Sequence, residues 1–546
     1  ADVNINQNVE LAEGGNIVKA GNVAAGNLNI NLNVKGDGLT VAKGTTALNL
    51  ADITSGTTSV KNTGTVTIAE TGTLLAGSND KVISLTNQGL ITLETVTGED
   101  TVNSKISTGT SVEVANYGTI TLKDMDSTTF LEKTKVKNLE DLTSDEVKDV
   151  LKTLGVVAGD NFESVGFIKF SDGEVFTAAE MLTGTDTVAN LITTSNQSDY
   201  KAFGVAGSDT FTLTSENENE KLSNVQFNLI GKMAIGGGTV VIDNTNSYKM
   251  INIAEEGQLT VGTGAKLDYT GNILADNTGS EAAVEVEGTG TLSLSNGKLT
   301  MEGEGTNKKG LNLTGAGIVN LNGYTIDADI AGTVDGINLQ GTINSKGSSA
   351  INGTVTDIKD IKVTENGMLK FGADSKIVSN SISEITTIDL AEGNMGVQIG
   401  ENGGNVLKSS SEKITFKNLD DKSSQNSASG KVVLLTDALT ENTEFNLGEH
   451  ASLEEGAVVA NGDIFYKVTK GEGNNWNATF NEKGLIEATG TKYLELNNMY
   501  IATQAIHDLL SKDPNVRVAQ LDDLYSNNIY SETVKMSLDT LKMNED

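Results

Sequence analysis

The fold is decided by a pattern that occurs three times near the start of the chain: Asn62-Thr63-Gly64-Thr65-Val66-Thr67-Ile68, Asn87-Gln88-Gly89-Leu90-Ile91-Thr92-Leu93 and Asn116-Tyr117-Gly118-Thr119-Ile120-Thr121-Leu122. Aliphatic and polar residues alternate after each glycine, which is the two-residue period of a strand with one buried face. The glycine can take the positive φ that a corner between strands requires. The copies start 25 and 29 positions apart, about the length of one solenoid coil. Stacked coils would therefore align Asn above Asn in a ladder.

Similar strands return later in the chain, at 257–261, 290–294, 297–301, 317–321 and 367–371. We predict an all-β fold, a right-handed parallel β-helix with a small α+β insertion and C-terminal helices. A set of antiparallel β domains is the alternative, but a sandwich has less reason to repeat one turn sequence. Spacing and turn become irregular after about Asp126.

Composition agrees with many short strands. Among 546 residues there are 60 glycines, one proline and no cysteine, and 37% of residues are hydrophobic while 4% are aromatic. The 39 basic and 73 acidic residues give a net charge of -34, the reverse of the basic surface that nucleic acid requires. We therefore expect no nucleic-acid partner. The apolar runs are too short for a signal peptide or a membrane helix.

Four segments are predicted: β-helix coils over 1–126, an inserted α+β subdomain over 127–218, further coils over 219–485, and a C-terminal segment over 486–546. Within the insertion, capping boxes at 143–146 and 177–180 predict two helices. Ser171-Asp172-Gly173 predicts a hairpin turn between flanking apolar stretches.

Aromatic residues cluster in the predicted insertion. Insertions on a solenoid tend to lie on its binding face, so we interpret the cluster as a candidate recognition surface, although a decorated loop with its own small core is the alternative. The candidate residues are Phe167, Phe170, Asp172, Phe176 and Phe203.

The C-terminal part of the sequence differs from the coils. Aromatic residues lie close together at Phe465, Tyr466, Trp476, Phe480 and Tyr493. Helical periodicity then predicts helices over 499–512 and 531–543.

The stretch Tyr525-Ser526-Asn527-Asn528-Ile529-Tyr530-Ser531-Glu532-Thr533, with the helix after it, resembles the segment that precedes the barrel in fusobacterial autotransporters. The Asn/Gly/Thr-rich coils, with Lys in place of Arg, are similar to the passengers of that family. The resemblance implies a type V secretion passenger whose 486–546 segment is the passenger end and the helical linker toward an outer-membrane β-barrel. Because the chain starts at Ala1 without Met and carries no barrel, we expect a mature or recombinant fragment.

Catalytic motifs are scarce. His450 and His507 are the two histidines, and no nucleophile elbow or phosphate-binding loop occurs. Asp327 and Asp329 could share an outward strand face as a glycosidase pair, and acidic turns around Asp124 and Asp126 could bind calcium weakly. Lys35-Gly36-Asp37 resembles an integrin-type tripeptide, a triplet that also occurs by chance.

We therefore predict no catalytic, cofactor or metal site. The resemblance implies an adhesin that binds a host-cell or bacterial surface protein or glycan. We expect a monomer on the bacterial cell surface at the outer membrane, exported by type V secretion and capable of release from the cell. The alternatives are a β-helix carbohydrate-active enzyme and a spacer rod for binding regions N-terminal to Ala1.

Overall fold

The protein is an all-β parallel β-helix, described here from a computed structural model. It divides into two compact units, Ala1–Gly310 (unit 1) and Leu311–Asp546 (unit 2). The structure describes residues 2–7, 15–20, 26–34, 38–97, 102–194, 202–276, 281–302, 309–335, 338–380, 386–399, 404–405, 414–419, 430–436, 443–446, 453, 457–460, 466–472 and 475–480.

Unit 1 begins with a set of coils that we call the first stack. Its strands are β1 (Asp2–Ile5), β2 (Val18–Lys19), β3 (Asn27–Leu32), β4 (Leu39–Val41), β5 (Thr46–Asn49), β6 (Thr57–Asn62), β7 (Thr65–Ile68), β8 (Thr73–Ala76), β9 (Ile83–Asn87), β10 (Leu90–Leu93), β11 (Lys105–Thr108), β12 (Val112–Asn116), β13 (Thr119–Leu122), β14 (Phe162–Ser164), β15 (Phe167–Phe170) and β16 (Val175–Phe176). They form three sheets, in the orders β1-β3-β6-β9-β12-β14, β4-β7-β10-β13-β15-β16 and β2-β5-β8-β11. The β15–β16 pair is antiparallel, which confirms the predicted hairpin at Ser171-Asp172-Gly173.

The core of the first stack is made of inward aliphatic side chains in vertical columns. Val66, Ile91, Ile120 and Ile168 occupy equivalent register positions in consecutive coils, and each is at most 1% exposed. Each coil buries its apolar face against its neighbours, as expected for a solenoid.

The predicted asparagine ladder is confirmed. The Asn62 side-chain amide donates to Asn87 Oδ1 over 2.8 Å, Asn87 donates to Asn116 Oδ1 over 2.8 Å, and Asn116 donates to Ser164 Oγ over 2.9 Å. All three asparagines are fully buried. Each therefore satisfies the polar group of the next coil where no water is available.

The glycines of these turns have a different role from the predicted one. Gly64, Gly89 and Gly118 do not have positive φ. A Cβ on Gly89 would lie 2.1 Å from Gly64 O, and one on Gly118 would lie 2.2 Å from Gly89 O. Glycine is required here because each turn passes directly against the carbonyl of the turn below it, which leaves no space for a side chain.

Two helices lie between β13 and β14 of the first stack. α1 (Ser127–Glu132) is capped by Asp126, and after a 3-10 turn (Leu139–Asp141) comes α2 (Ser144–Thr153), where the predicted Thr143/Glu146 capping box is present. Because β14 and β15 pair in parallel with β12 and β13, the chain returns to the same sheets after α2. Strands within the predicted insertion thus belong to regular coils.

The second predicted capping box, Thr177-Ala178-Ala179-Glu180, is wrong as a helix start. Residues Glu180–Leu182 form strand β17, which pairs in parallel with Ala202–Val205. The parallel partner supplies hydrogen bonds along the segment, and this pairing overrides the local capping signal.

From β17 onward unit 1 builds a second set of coils, the second stack. Its elements are β17 (Glu180–Leu182), β18 (Thr185–Thr187), α3 (Val188–Thr194), β19 (Ala202–Val205), β20 (Phe211–Thr214), β21 (Lys221–Ser223), β22 (Gln226–Leu229), β23 (Lys232–Gly237), β24 (Thr239–Asp243), β25 (Ile251–Ile253), β26 (Gln258–Val261), β27 (Lys266–Thr270), β28 (Ile273–Ala275), β29 (Val284–Val286), β30 (Thr291–Ser295) and β31 (Lys298–Met301). The sheets run β17-β19-β22-β25-β28-β31, β18-β20-β23-β26-β29 and β21-β24-β27-β30.

The second stack runs back alongside the first. Asn228 Nδ2 donates to Val165 O, Asn252 Nδ2 donates to Gly118 O, and Lys298 Nζ donates to Thr63 O. Later residues of the second stack thus contact earlier residues of the first stack. The two stacks therefore pack side by side and run in opposite directions. All residues of β19, β22, β25 and β28 are buried.

Unit 2 also consists mainly of parallel coils. Its strands are β32 (Lys309–Leu313, which contains the unit boundary), β33 (Ile318–Asn322), β34 (Thr325–Asp327), β35 (Asp329–Gly332), β36 (Val334–Asp335), β37 (Asn338–Lys346), β38 (Ser348–Ile351), β39 (Thr354–Thr356), β40 (Ile358–Val363), β41 (Met368–Phe371), β42 (Lys376–Val378), β43 (Thr387–Asp389), β44 (Asn394–Ile399), β45 (Gly404–Asn405), β46 (Thr415–Lys417), β47 (Val432–Thr436), β48 (Thr443–Asn446), β49 (Val458–Ala460), β50 (Tyr466–Lys470) and β51 (Asn475–Phe480). β36–β37, β48–β51 and β50–β51 are antiparallel pairs. The unit boundary at Gly310 falls inside the 219–485 segment predicted as one run of coils.

The helices predicted over 499–512 and 531–543, the family-like stretch 525–533, and both histidines lie outside the described residues. Among the residues that are described, no helix has the length and apolar character needed to cross a membrane.

Candidate binding surface

The outer face of the first sheet, β1-β3-β6-β9-β12-β14, carries two rows of side chains that are polar except for Ala115. Strand alternation turns these residues outward, and the parallel register aligns them from coil to coil. One row consists of Asp2, Asn29, Ser59, Ser84 and Glu113, and the other of Asn4, Asn31, Lys61, Thr86, Ala115 and Glu163.

Hydrogen bonds run along each of these rows at the N-terminal end of the sheet. Asn29 Nδ2 donates to Asp2 Oδ1 over 2.7 Å, and Ser59 Oγ donates to Asn29 Oδ1 over 2.8 Å. Asn31 Nδ2 donates to Asn4 Oδ1 over 2.8 Å in the second row. The outer face is therefore a hydrogen-bonded polar surface over β1, β3 and β6.

A groove of about 650 Å³ lies on this face, where the later coils of the first stack meet a turn of the second stack. Its floor comes from β6, β9, β12 and β14, and its wall comes from the two turns that carry tyrosines. The lining residues are Ser59, Ser84, Leu85, Thr86, Glu113, Val114, Ala115, Tyr117, Asp160, Asn161, Phe162, Glu163 and Tyr248.

Tyr117 and Tyr248 form the wall. Tyr117 occupies the middle position of the third Asn-x-Gly turn, and Tyr248 lies in the turn between β24 and β25. Their ring centroids are 6.1 Å apart with planes tilted by 36°, within the range of a favourable aromatic pair. Gln88 Nε2 donates to Tyr248 O over 2.7 Å and anchors that turn to the first stack. The Tyr248 side chain stays 46% exposed.

Two lysines lie beside the tyrosine wall. Lys61 Nζ is 5.3 Å from the centroid of the Tyr248 ring, a cation–π contact. Burial lowers the pKa of Lys61. Burial also lowers the pKa of Lys249 to about 8, although the Glu163 carboxylate opposes this shift. Burial, Glu163 and Tyr248 together raise the pKa of Tyr117.

Three carboxylates border the groove. Asn161 Nδ2 donates to Glu113 Oε1 over 3.1 Å, and Lys152 pairs with Asp160. This hydrogen bond from Lys152 lowers the pKa of Asp160. Glu163 lies outward on β14 and is exposed. The groove thus combines acceptors, an amide, hydroxyls and aromatic rings, which is the kind of lining that binds a hydroxyl-rich ligand.

The structure places the predicted recognition residues in the interior. Phe167, Phe170, Phe176 and Phe203 are each at most 2% exposed. The rings of Phe170 and Phe176 lie in the core of the first stack, and Phe203 packs on Phe227 within the second stack. Phe167 shares its register position with Thr119, whose hydroxyl contacts Asn252, so Phe167 is on the outward face of β15 and is buried on the side that meets the second stack. Their positions within a predicted insertion suggest a surface role, but all four rings are buried and present no surface to a ligand.

Asp172, the fifth candidate, has a structural role in the turn between β15 and β16. It accepts hydrogen bonds from Ser127 N over 3.0 Å and from Ser127 Oγ over 2.6 Å. Burial alone would raise the pKa of Asp172, but the hydrogen bonds from Ser127 and Glu174 lower it overall. Asp172 therefore joins the hairpin to the start of α1.

Asp327 and Asp329 do not share one strand face. Asp327 ends β34, which pairs with β38, and Asp329 begins β35, which pairs with β39 in a different sheet. Asn352 Nδ2 donates to Asp327 Oδ1 over 2.5 Å, and Thr354 N donates to Asp329 Oδ1 over 2.7 Å. The chain turns a corner at Ala328, so the two carboxylates belong to different sheets.

Asp126 caps α1 by accepting from Thr129 N over 2.7 Å. Within the described ranges, no three His, Cys, Asp or Glu side chains come together in a way that could hold a metal ion. Lys35-Gly36-Asp37 lies outside those ranges, as do Phe465 and Tyr493. Trp476 is 2% exposed on β51.

Sequence reasoning does not find the groove. The outward residues of β6, β9 and β12 can be predicted from the sequence, because they alternate with the buried aliphatic residues of each strand. Tyr248, however, is brought to Tyr117 by the return of the second stack, a contact between residues far apart in the chain. No family model, curated protein or solved structure matches this chain, so its function has to be argued from these residues.

Proposed function

We propose that the chain is the secreted, surface-exposed passenger of an autotransporter and acts as an adhesin. The β-solenoid fold is compatible with such a passenger, and the stretch Tyr525–Thr533 resembles the segment before the barrel in fusobacterial members. Its location is the outer surface of a bacterial cell, reached by type V secretion, and its barrel is its first partner. It works as a monomer.

The observation that carries the binding role is the groove beside Tyr117 and Tyr248. It lies on an open sheet face rather than in the packed region between stacks, so a surface ligand can reach it. Its aromatic wall is held by the Gln88 hydrogen bond and by Lys61. A site whose side chains are already positioned binds with a smaller loss of conformational entropy.

We propose binding rather than catalysis. The carboxylate pair that motivates an enzyme, Asp327 and Asp329, is divided between two sheets. The groove carboxylates Glu113 and Asp160 are each held by a neighbouring side chain in the same region, which suits recognition of a ligand's hydroxyl groups.

The test is binding of the fluorescently labelled chain to epithelial cells and to other bacteria, measured by flow cytometry. Ala115→Arg places a long side chain into the groove from the middle of its floor, and it should reduce bound protein by about tenfold. Thr40→Arg, on an exposed position of β4, is the matched control and should bind as the unaltered chain does. Equal binding by both variants would exclude the groove as the adhesive surface.

Export is tested separately. Intact cells that express the full-length gene are treated with an added protease, and the chain is followed by immunoblot. Degradation without lysis is expected for a surface-exposed passenger. Protection until the cells are lysed would contradict the proposed location.

A further inference from the structure

The groove has the size, the aromatic wall and the charge balance of a site for uncharged sugars. We propose that it binds a neutral glycan, with one sugar ring against Tyr248 and hydroxyl groups hydrogen-bonded to Glu113, Asn161 and Glu163. This inference rests on the proposed adhesin function and names the ligand class of the same site.

Size favours a glycan over a protein. A groove of about 650 Å³ falls within the volume range of small-molecule sites and accommodates on the order of two to three sugar rings. A stable protein partner needs an interface of roughly 1,000 Å² or more. The adjoining outer face is polar from Asp2 to Glu113 and lacks the apolar centre that such an interface usually contains.

The aromatic wall favours sugars among small ligands. One face of a pyranose ring exposes C–H groups, which pack against the face of an aromatic ring. Tyr248 is 46% exposed, and its ring packs beside Tyr117 and Lys61. The edge of the same sugar carries hydroxyl groups, which carboxylates and amides bind through directional hydrogen bonds.

Charge favours a neutral glycan over an acidic one. The carboxylates Glu113, Asp160 and Glu163 border the groove, and Lys61 lies over the Tyr248 ring. Lys152 is paired with Asp160. A sulfated or sialylated chain would also approach a protein with a net charge of -34, which repels polyanions.

The experiment uses a printed array of neutral, sialylated and sulfated oligosaccharides probed with the labelled full chain. Signal is expected on neutral spots. Tyr248→Ala should weaken binding to those spots by about tenfold or more, whereas Tyr248→Phe, which keeps the ring, should change it by less than about twofold. Glu163→Gln should weaken binding by about tenfold because a charged acceptor is lost.

Met181→Ala is the matched control, since Met181 is also 46% exposed and lies on β17, outside the groove lining. Circular dichroism confirms that each variant is folded. Signal confined to sulfated or sialylated spots, or neutral binding that survives Tyr248→Ala, would overturn the inference.

The array and the cell assay separate the two proposals. A blank array together with cell binding that is abolished by protease treatment of the target cells overturns the glycan inference and leaves the adhesin function standing. A blank array with no cell binding overturns both. Neutral-glycan signal that depends on Tyr248, without binding to any cell, supports the ligand class while removing the adhesin function.

Discussion

The two stacks of unit 1 have the same coil architecture but use their polar side chains differently. The first stack repeats one turn, with buried Asn62, Asn87 and Asn116 in a ladder, and leaves the outer face of its first sheet open. In the second stack, outward amides such as Asn228 are buried and donate to backbone carbonyls of the first stack. Polar side chains on a sheet face therefore do not identify a binding surface by themselves, because they can be hydrogen-bonded to a second stack and buried by it.

The comparison also explains why the sequence repeat fades. In the first stack the asparagine and the glycine of each Asn-x-Gly turn contact the turns above and below, so these two residues are needed in every coil. The middle residues Thr63, Gln88 and Tyr117 differ from coil to coil and contact the second stack. In the second stack many contacts are lateral, and each faces a different part of the first stack. A sequence that must fit many different neighbours has less reason to repeat.

The largest effect is expected from the regular turn. Gly89→Ala places a Cβ 2.1 Å from Gly64 O, and two stacked backbones would have to separate. We expect a loss of about 3 kcal/mol or more in the free energy of unfolding, measured as the midpoint of urea unfolding. Gly237→Ala is the control, since a Cβ there meets nothing within 4 Å. Equal midpoints for both variants would show that close approach does not dictate glycine in the turn.

The ladder gives the next largest effect. Asn87 donates to Asn116 Oδ1 and to Thr119 O, and it accepts from Asn62 Nδ2 and from Gly89 N. Asn87→Ala leaves several buried groups without partners, for a loss of about 2–3 kcal/mol. Ser84→Ala, on the open face, should stay within about 0.5 kcal/mol of the unaltered chain. Urea titration of the two variants measures the free energy of unfolding of each. A large loss of this free energy in Ser84→Ala would contradict the proposed difference between inner and outer polar residues.

The lateral contact should give a smaller loss. Asn228 donates to Val165 O over 2.8 Å and to Thr177 Oγ1 over 2.7 Å, and Asn228→Ala is expected to destabilise by about 2 kcal/mol. Hydrogen–deuterium exchange is the sharper measurement. Amides of β22 and β25 should exchange faster while those of β6 and β9 do not, if the stacks separate before the first stack unfolds. A uniform change across both stacks would indicate that they unfold as one body.

Much of the fold can be predicted from the sequence because the signals are local. The Gly-x-aliphatic alternation predicts parallel coils, and the Asn-x-Gly turns predict the ladder. The capping box at Thr143 and the hairpin at Asp172 are also interactions between near neighbours in the chain. Each of these patterns is completed within a few residues or one coil.

The return of the second stack is not predictable in this way. Its clue is indirect: strands such as Ile273–Ala275 are apolar on both faces, as expected for strands buried on two sides. The phenylalanines around Phe167 and Phe203 are offered by the sequence either as a candidate recognition surface or as a small core, and the structure buries them. The groove depends on Tyr248 reaching Tyr117, and no periodicity within either stack encodes that contact.

The smallest expected effect is a pH dependence at the junction of the stacks. Burial lowers the pKa of Lys249 from 10.5 to about 8, so between these values the unfolded chain binds a proton that the folded chain does not. Stability should therefore rise with pH across this window. Lys249 is partly exposed, and solvent screening limits the gain to less than about 1 kcal/mol.

The measurement compares urea midpoints of the unaltered chain and Lys249→Met between about pH 7.5 and pH 9.5. This range ends before the ordinary pKa of tyrosine, 10.0, from which Tyr117 is raised further. The rise should be present in the unaltered chain and reduced in Lys249→Met. If the urea midpoint changed with pH by the same amount in both proteins, the Lys249 ammonium group would be fully solvated in the folded chain. The second stack would then contribute Tyr248 to the groove but no buried amine.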